Sequence, residues 1–330
     1  MGAARTAEGR IMTVRLPEHE DLEAAYTLLR PLVRRTPVME VAGGDLGVPG
    51  RVLLKLELMQ HTGSFKARGA LHTVLRMPEG TTGAVAASGG NHGAAVAWAC
   101  GIAGIAADIF VPATSPAEKV RRIEAYGGTA HVVDGYYSAA YDASRRWSEG
   151  RDVVAVHAYD AASIVAGAAG VGIEVGDQAP FARRVLVPCG GGGLYSGTAL
   201  ALRERIQVVP VEPERCPSLA AAVEAGGPVD VDVSGVAADS LGAARIGEHA
   251  YAVAGALGAA PLLVSDDQIL AARRLLWEEC RVLAEPGGVT ALAAVMSGAA
   301  DVRDGETVVV VVSGANHPTI PEDVVAPVSR

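Results

Sequence analysis

Lys66 stands in the run Gln60-His61-Thr62-Gly63-Ser64-Phe65-Lys66-Ala67-Arg68-Gly69-Ala70, where a lysine is electrostatically uncomfortable. Thr62 or Ser64 can serve as an N-cap, and the Ala/Leu-rich segment that follows predicts a helix with Lys66 in its first turn. The positive end of the helix dipole disfavours an ammonium there and favours the neutral amine, which is a nucleophile. Three other places run from a short apolar stretch into small and polar residues. Ala84-Val85-Ala86-Ala87 leads into Ser88-Gly89-Gly90-Asn91-His92-Gly93, and Val185-Leu186-Val187-Pro188-Cys189 into Gly190-Gly191-Gly192-Gly193. The third leads from Val308–Val312 into Ser313-Gly314-Ala315-Asn316-His317-Pro318.

Each loop offers a distinct chemistry. The glycines Gly190 to Gly193, set between a strand and a helix expected over Thr198–Arg205, let successive backbone N–H groups turn inward as an anion nest that suits a phosphate. No Gly-Lys-Ser/Thr follows, which excludes a Walker loop, and only Glu212 could complete a dinucleotide fingerprint. The segment Ser88, Gly89, Gly90, Asn91, His92 presents N–H groups, a hydroxyl and an amide ahead of a helix, a receptor for a carboxylate. His92 reads as a loop-orienting histidine rather than a base. Ser313 ends five valines, so its hydroxyl is the polar side-chain group where a buried strand meets a crevice, and it needs a partner.

The elements that must position these groups alternate strand and helix. Leu22, Ala25, Leu28, Leu29 and Leu32 have helical spacing, and Val52–Glu57 is a strand delivering the chain to the lysine helix. A βαβαβ run follows: strand Val85, helix Ala94–Gly101, strand Asp108–Val111, helix Ala117–Tyr126, strand Thr129–Val133. Beyond it come a helix over Ser163–Gly176 and strands Val185–Val187, Gln207–Val211 and Thr307–Val312. Helices are expected over Asp266–Val282 and Val289–Met296. Apolar strands with polar loops at their carboxyl ends predict α/β architecture, with ligand bound where those ends meet.

Composition agrees. The 330 residues are 50% hydrophobic but only 4% aromatic, with 40 glycines, which suits helices packed closely on parallel sheets. A net charge of −9 without a long basic run argues against nucleic acid. Cys100, Cys189, Cys216 and Cys280 have no metal or redox spacing and read as reduced thiols of a cytoplasmic protein. Met1–Arg15 lacks the apolar core of a signal peptide and reads as a tail, and no run is long enough to span a membrane.

The SFKARGA, SGGNHG, GGGG and SGAN segments, in this order and at these intervals, resemble the fold-type II pyridoxal-phosphate enzymes. Within them the likeness is to the serine/threonine dehydratase (ammonia-lyase) and serine racemase branch, and it runs from about Leu16 to Ile320. The resemblance implies a tryptophan synthase beta-like fold of two open, twisted, mostly parallel sheets with helices on both faces. It implies a large cofactor domain from residues 16–76 and 157–330, and a small substrate-loop domain from 77–156. It further implies pyridoxal 5'-phosphate carried on Lys66 as a Schiff base, with Phe65 against its face and Gly190–Gly193 around its phosphate. Asn91 would contact the phenolic oxygen and Ser313 the pyridine nitrogen, while Ser88–His92 hold the substrate carboxylate. The reaction would remove the β-hydroxyl of L-serine, L-threonine or a relative to give a 2-oxo acid and ammonia, in a homodimer.

The pattern departs from the family at several positions. Gly89 stands where serine racemase carries its second base, which favours elimination over racemisation. The family's cation site keeps Glu212 but has Ser218 for its aspartate, with Cys216 able to offer only a carbonyl, so metal binding is disfavoured. Ala238-Asp239-Ser240 and Ala315 differ near the substrate side chain; Arg68 and Arg245 are the residues to test for a second substrate carboxylate, with solvated or structural pairing the favoured reading of each. β-Replacement and non-catalytic phospholigand binding are the competing functions.

Overall fold

The computed structural model describes residues 14–203 and 205–316, preceded by two short strands, Ala4–Arg5 (β1) and Ile11–Met12 (β2), that pair antiparallel. Most of the expected tail, and the His317-Pro318 end of the last motif, lie outside the described residues.

Two sheets organise the remainder. The larger is built from Val38–Val41 (β3), Arg51–Lys55 (β4), Arg184–Pro188 (β9), Gln207–Pro213 (β10), Leu262–Val264 (β11) and Thr307–Val311 (β12), with Gly83–Ala87 (β5), Ala106–Pro112 (β6), Thr129–Val133 (β7) and Val153–Ala155 (β8) forming the smaller. Their strand orders are β11-β10-β9-β12-β4-β3 and β7-β6-β5-β8. All pairings are parallel except β3 with β4. The edge position of β3 is consistent with its exposed Glu40–Arg51 pair.

The valine run shows why these strands read as unbroken apolar stretches. Val309 and Val311 face one hydrophobic cluster with Leu53, Val185 and Val187, whereas Val308, Val310 and Val312 face another with Val52, Leu54 and Leu186. Both faces are covered, so alternation of polar and apolar residues disappears. The first face packs on His19–Leu29 (α1), Ala162–Ala168 (α6), Gly170–Gln178 (α7) and Gly193–Leu202 (α8). The second packs on Asp266–Cys280 (α12) and Pro286–Met296 (α13). In the smaller sheet Ala84 and Ala86 meet Asn91–Ala103 (α3), while Val85 and Phe110 meet Tyr137–Ser148 (α5).

Three expectations need correction. The single helix over Ser163–Gly176 is interrupted at Ala169, between α6 and α7. The helix after the glycines begins at Gly193, not Thr198, so the loop abuts its N-terminus directly. Neither Thr62 nor Ser64 caps Lys66–Leu75 (α2): the chain enters through a 3-10 turn with Thr62 at φ 62°, leaving Phe65 at the cap and both hydroxyls buried without partners. Elements whose sequences carry weaker signals, β3, β8, β11, α5, Ser218–Ala225 (α9), Ala238–Leu241 (α10) and Glu248–Leu257 (α11), complete the fold with Ala117–Ala125 (α4).

Candidate active site

The lysine helix, Ser313 and the glycine loop come from three neighbouring strands. β4, β12 and β9 lie side by side and parallel, so their carboxyl ends emerge on one edge within about 10 Å of sheet width. Direct contacts tie them together: Phe65 N–H donates to Ser313 O at 3.1 Å. Lys66 Nζ donates to Ala158 O at 2.6 Å, and the next residue, Tyr159, lies against the glycine loop.

That loop tolerates no side chain. A Cβ on Gly191 would overlap the Tyr159 ring, and one on Gly192 would overlap Ala250. Gly192 also adopts φ +86°, in the left-handed region. The backbone N–H groups beyond it open the N-terminus of α8, which favours an anion.

Lys66 is one of three lysines in the chain. Lys55 is buried on Glu174 at 2.5 Å and Lys119 is paired with Asp239, whereas the Lys66 amine meets a neutral carbonyl. Desolvation by the surrounding protein lowers its pKa to about 8, with Glu285 acting in the opposite direction. Its Nζ sits 5.0 Å from the centre of the Phe65 ring. Ser313 is only 4% exposed where β12 ends, and its carbonyl is the acceptor for Phe65.

The carboxylate loop leaves β5 and opens α3, whose first turn at Asn91, His92 and Gly93 has N–H groups without helical acceptors. Ser88 Oγ accepts from Gly90 N at 3.2 Å, bracing the turn. His92 Nε2 bonds Val156 O at 2.9 Å, and burial pushes its pKa down to about 3, so it is neutral and fixed. Gly89 is closed from behind: a Cβ there would overlap Ser115 Oγ. The Ala238–Ser240 segment approaches this loop, with Asp239 O 3.9 Å from the Cβ position of Gly90.

Glu285 was not singled out from sequence, yet it joins these parts. Asn91 Nδ2 donates to its Oε1 at 2.6 Å and Asn316 N to its Oε2 at 3.2 Å, while Asn316 Nδ2 donates to Asn91 Oδ1 and to Thr62 O. Burial raises its pKa to about 7. The signal available in sequence was a glutamate directly before Pro286-Gly287-Gly288, the N-terminus of α13, which looks like ordinary helix capping.

Arg68 and Arg245 are both in ion pairs, the reading favoured for them from sequence. Arg68 is buried and held by Glu57 and Glu174, each contact near 2.8 Å, so it cannot meet a ligand. Arg245 pairs at 3.3 Å with Asp230 and its carbonyl accepts from Tyr159 Oη. Glu212 is committed to α9, accepting from Leu219 N, Ala220 N and Ser218 Oγ. A separate surface depression of about 750 Å³, lined by Arg183, Arg205 and Arg303, lies by the opposite ends of β9 and β10.

An amine of lowered pKa, a glycine loop at a helix N-terminus, a buried serine and a second helix N-terminus are together suited to a phosphorylated aldehyde and an amino acid. The chain belongs to the pyridoxal-phosphate dependent enzyme family, whose model matches residues 29–314. It is 32% identical over 308 residues to an L-threonine ammonia-lyase of Thermotoga maritima, covering 90% of this chain and 75% of that one. It is also 32% identical over 310 residues to a phenylserine dehydratase of Ralstonia pickettii, covering 92% and 94%. The structure of maize serine racemase superposes with a TM-score of 0.86 at 30% identity, over 92% of this chain and 94% of the other. Pyridoxal phosphate is thus the cofactor, and the fold-type II architecture expected from the motifs is the one observed. The glycine loop, where a Cβ would overlap Tyr159 or Ala250, fits it.

Proposed function

We propose that the chain is an ammonia-lyase, removing the β-hydroxyl of L-serine, L-threonine or a related β-hydroxy amino acid to yield a 2-oxo acid and ammonia. The observation that carries this reading is Lys66: an amine with pKa near 8, bonded to a neutral carbonyl at the meeting of three loops. When bound, the cofactor withdraws electrons from the substrate α-carbon. Lys66 would hold the cofactor, and its amine, when free, would take the substrate's α-proton. The C–O bond to the β-carbon then breaks, and the hydroxide with a proton equivalent to the one taken from the α-carbon makes the departing water. The released enamine takes up water and gives the 2-oxo acid and ammonia.

The other residues hold and orient. The first turn of α3, with Ser88, Gly89, Gly90, Asn91 and His92, receives the substrate carboxylate, and Glu285 keeps Asn91 in place. Phe65, Asn91, Gly190–Gly193 and Ser313 hold the cofactor. Gly89 offers no base on the opposite face, which favours elimination over racemisation. The same reading takes residues 77–156 as a small domain and 16–76 with 157–330 as a large one, in a cytoplasmic homodimer. Four free cysteines support the reducing compartment, and sedimentation tests the assembly.

Lys66→Ala tests the assignment. Turnover of L-threonine to 2-oxo acid should fall roughly 10³-fold or more. A variant that kept its rate would remove Lys66 from the chemistry.

A further inference from the structure

We infer that the preferred substrate carries an aromatic β-substituent, as in a 3-arylserine, and that this group enters a cavity between α5 and the edge strand β8. The inference rests on the lyase reading and sharpens it. The cavity has a volume of about 220 Å³ and begins beside the reacting position, because Ala158, whose carbonyl holds Lys66, and His92 of the carboxylate loop form part of its wall. Ala87 and Val156, at the carboxyl ends of the strand region, supply apolar surface. Tyr137 and Tyr141 face them from the first turns of α5.

The lining is aromatic in a chain that has few aromatic residues. The Tyr137 and Tyr141 rings lie 6.2 Å apart at 24°, in a stacked arrangement. Behind the lining, Tyr159, the ring against Gly191, meets the lining residue His157 edge-on at 4.8 Å. Tyr137 and Tyr141 are 55% and 41% exposed, so two large rings keep apolar faces open at the cleft, where an incoming ring can stack.

Size and charge decide among substituents. An apolar cavity of about 150 Å³ accommodates benzene, so this one holds a phenyl group, whereas the hydrogen of serine or the methyl of threonine would leave most of it to water. Arg145, the arginine on the wall, lies eight residues along α5 from Tyr137, about 12 Å by helical rise. The backbone of Arg145 is thus toward the far end of the wall from the end where a carboxylate on the β-carbon, as in 3-hydroxyaspartate, would enter.

The experiment measures 2-oxo acid release by the cofactor-loaded protein from L-threo-3-phenylserine, L-threonine, L-serine and 3-hydroxyaspartate, as kcat/KM. Phenylserine should exceed threonine by at least about tenfold. Tyr137→Ala, which removes the stacking face, and Ser144→Leu, which fills the cavity, should each reduce that ratio by about fivefold or more. Should Tyr137→Ala not fold, Ser144→Leu reads the same ratio. A preference for serine, threonine or 3-hydroxyaspartate, or a ratio unmoved by the folded variants, overturns the inference and leaves the lyase reading intact. No 2-oxo acid from any of the four, by protein carrying cofactor on Lys66, overturns the lyase reading and this inference with it.

Discussion

Lys66 and Glu285 show how differently two titratable residues can be read. The lysine was legible because its neighbours spell a distinctive run, and a first-turn position gives a physical reason for a neutral amine. The structure adds a larger cause, desolvation, which lowers its pKa to about 8. Glu285 was illegible, since the residues that make it matter, Asn91 and Asn316, lie far away in sequence on other loops. Its carboxyl, raised to about 7 in the folded protein against 4.5 for an ordinary glutamate, binds a proton more tightly folded than unfolded. That contribution to stability is complete below pH 4.5 and disappears as pH rises through about 7. Glu285→Gln should therefore flatten the pH dependence of urea unfolding between these limits. It should also remove an ionisation near 7 from the pH–rate profile. An unchanged slope and profile would deny Glu285 this role.

At the scale of elements, the glycine loop and the root of α2 carry the account. Four glycines behind a strand suggest an anion nest from sequence, but the neighbours that exclude side chains there are not legible, because Tyr159 and Ala250 come from outside the motif. Gly192→Ala combines a left-handed φ with an overlap on Ala250. It should weaken cofactor binding by at least about 1 kcal/mol in a fluorescence titration, and wild-type affinity would contradict the cradle. Arg68 has the structural pairing favoured for it from sequence, although the sequence does not reveal that Glu57 and Glu174 are the partners. With Lys55 these residues form a buried four-charge network behind Lys66. Arg68→Leu leaves Glu57 without an ion-pair partner, while Glu174 keeps Lys55, and should cost about 3–5 kcal/mol in urea unfolding, since an unpaired buried charge is far worse than an exposed one. A loss under about 1 kcal/mol would show that the network relaxes.

Over the whole molecule, strand and helix alternation announced the parallel sheets, and the doubly buried valine run explains why no amphipathic pattern accompanied them. The interruption at Ala169 and the short edge strands escaped notice because packing, rather than local propensity, sets them. Strand order could not be read from sequence, yet it is what brings β4, β12 and β9 together and makes one site of separated motifs. The Lys119–Asp239 ion pair joins α4, beside the smaller sheet, to α10, beside the larger, across the approach to that site. With only three lysines in the chain, the central claim has a clean test. Protein incubated with pyridoxal phosphate, reduced with borohydride and digested should show the phosphopyridoxyl mass on the peptide containing Lys66. The same mass on Lys55 or Lys119, with Lys66 unmodified, would contradict the account.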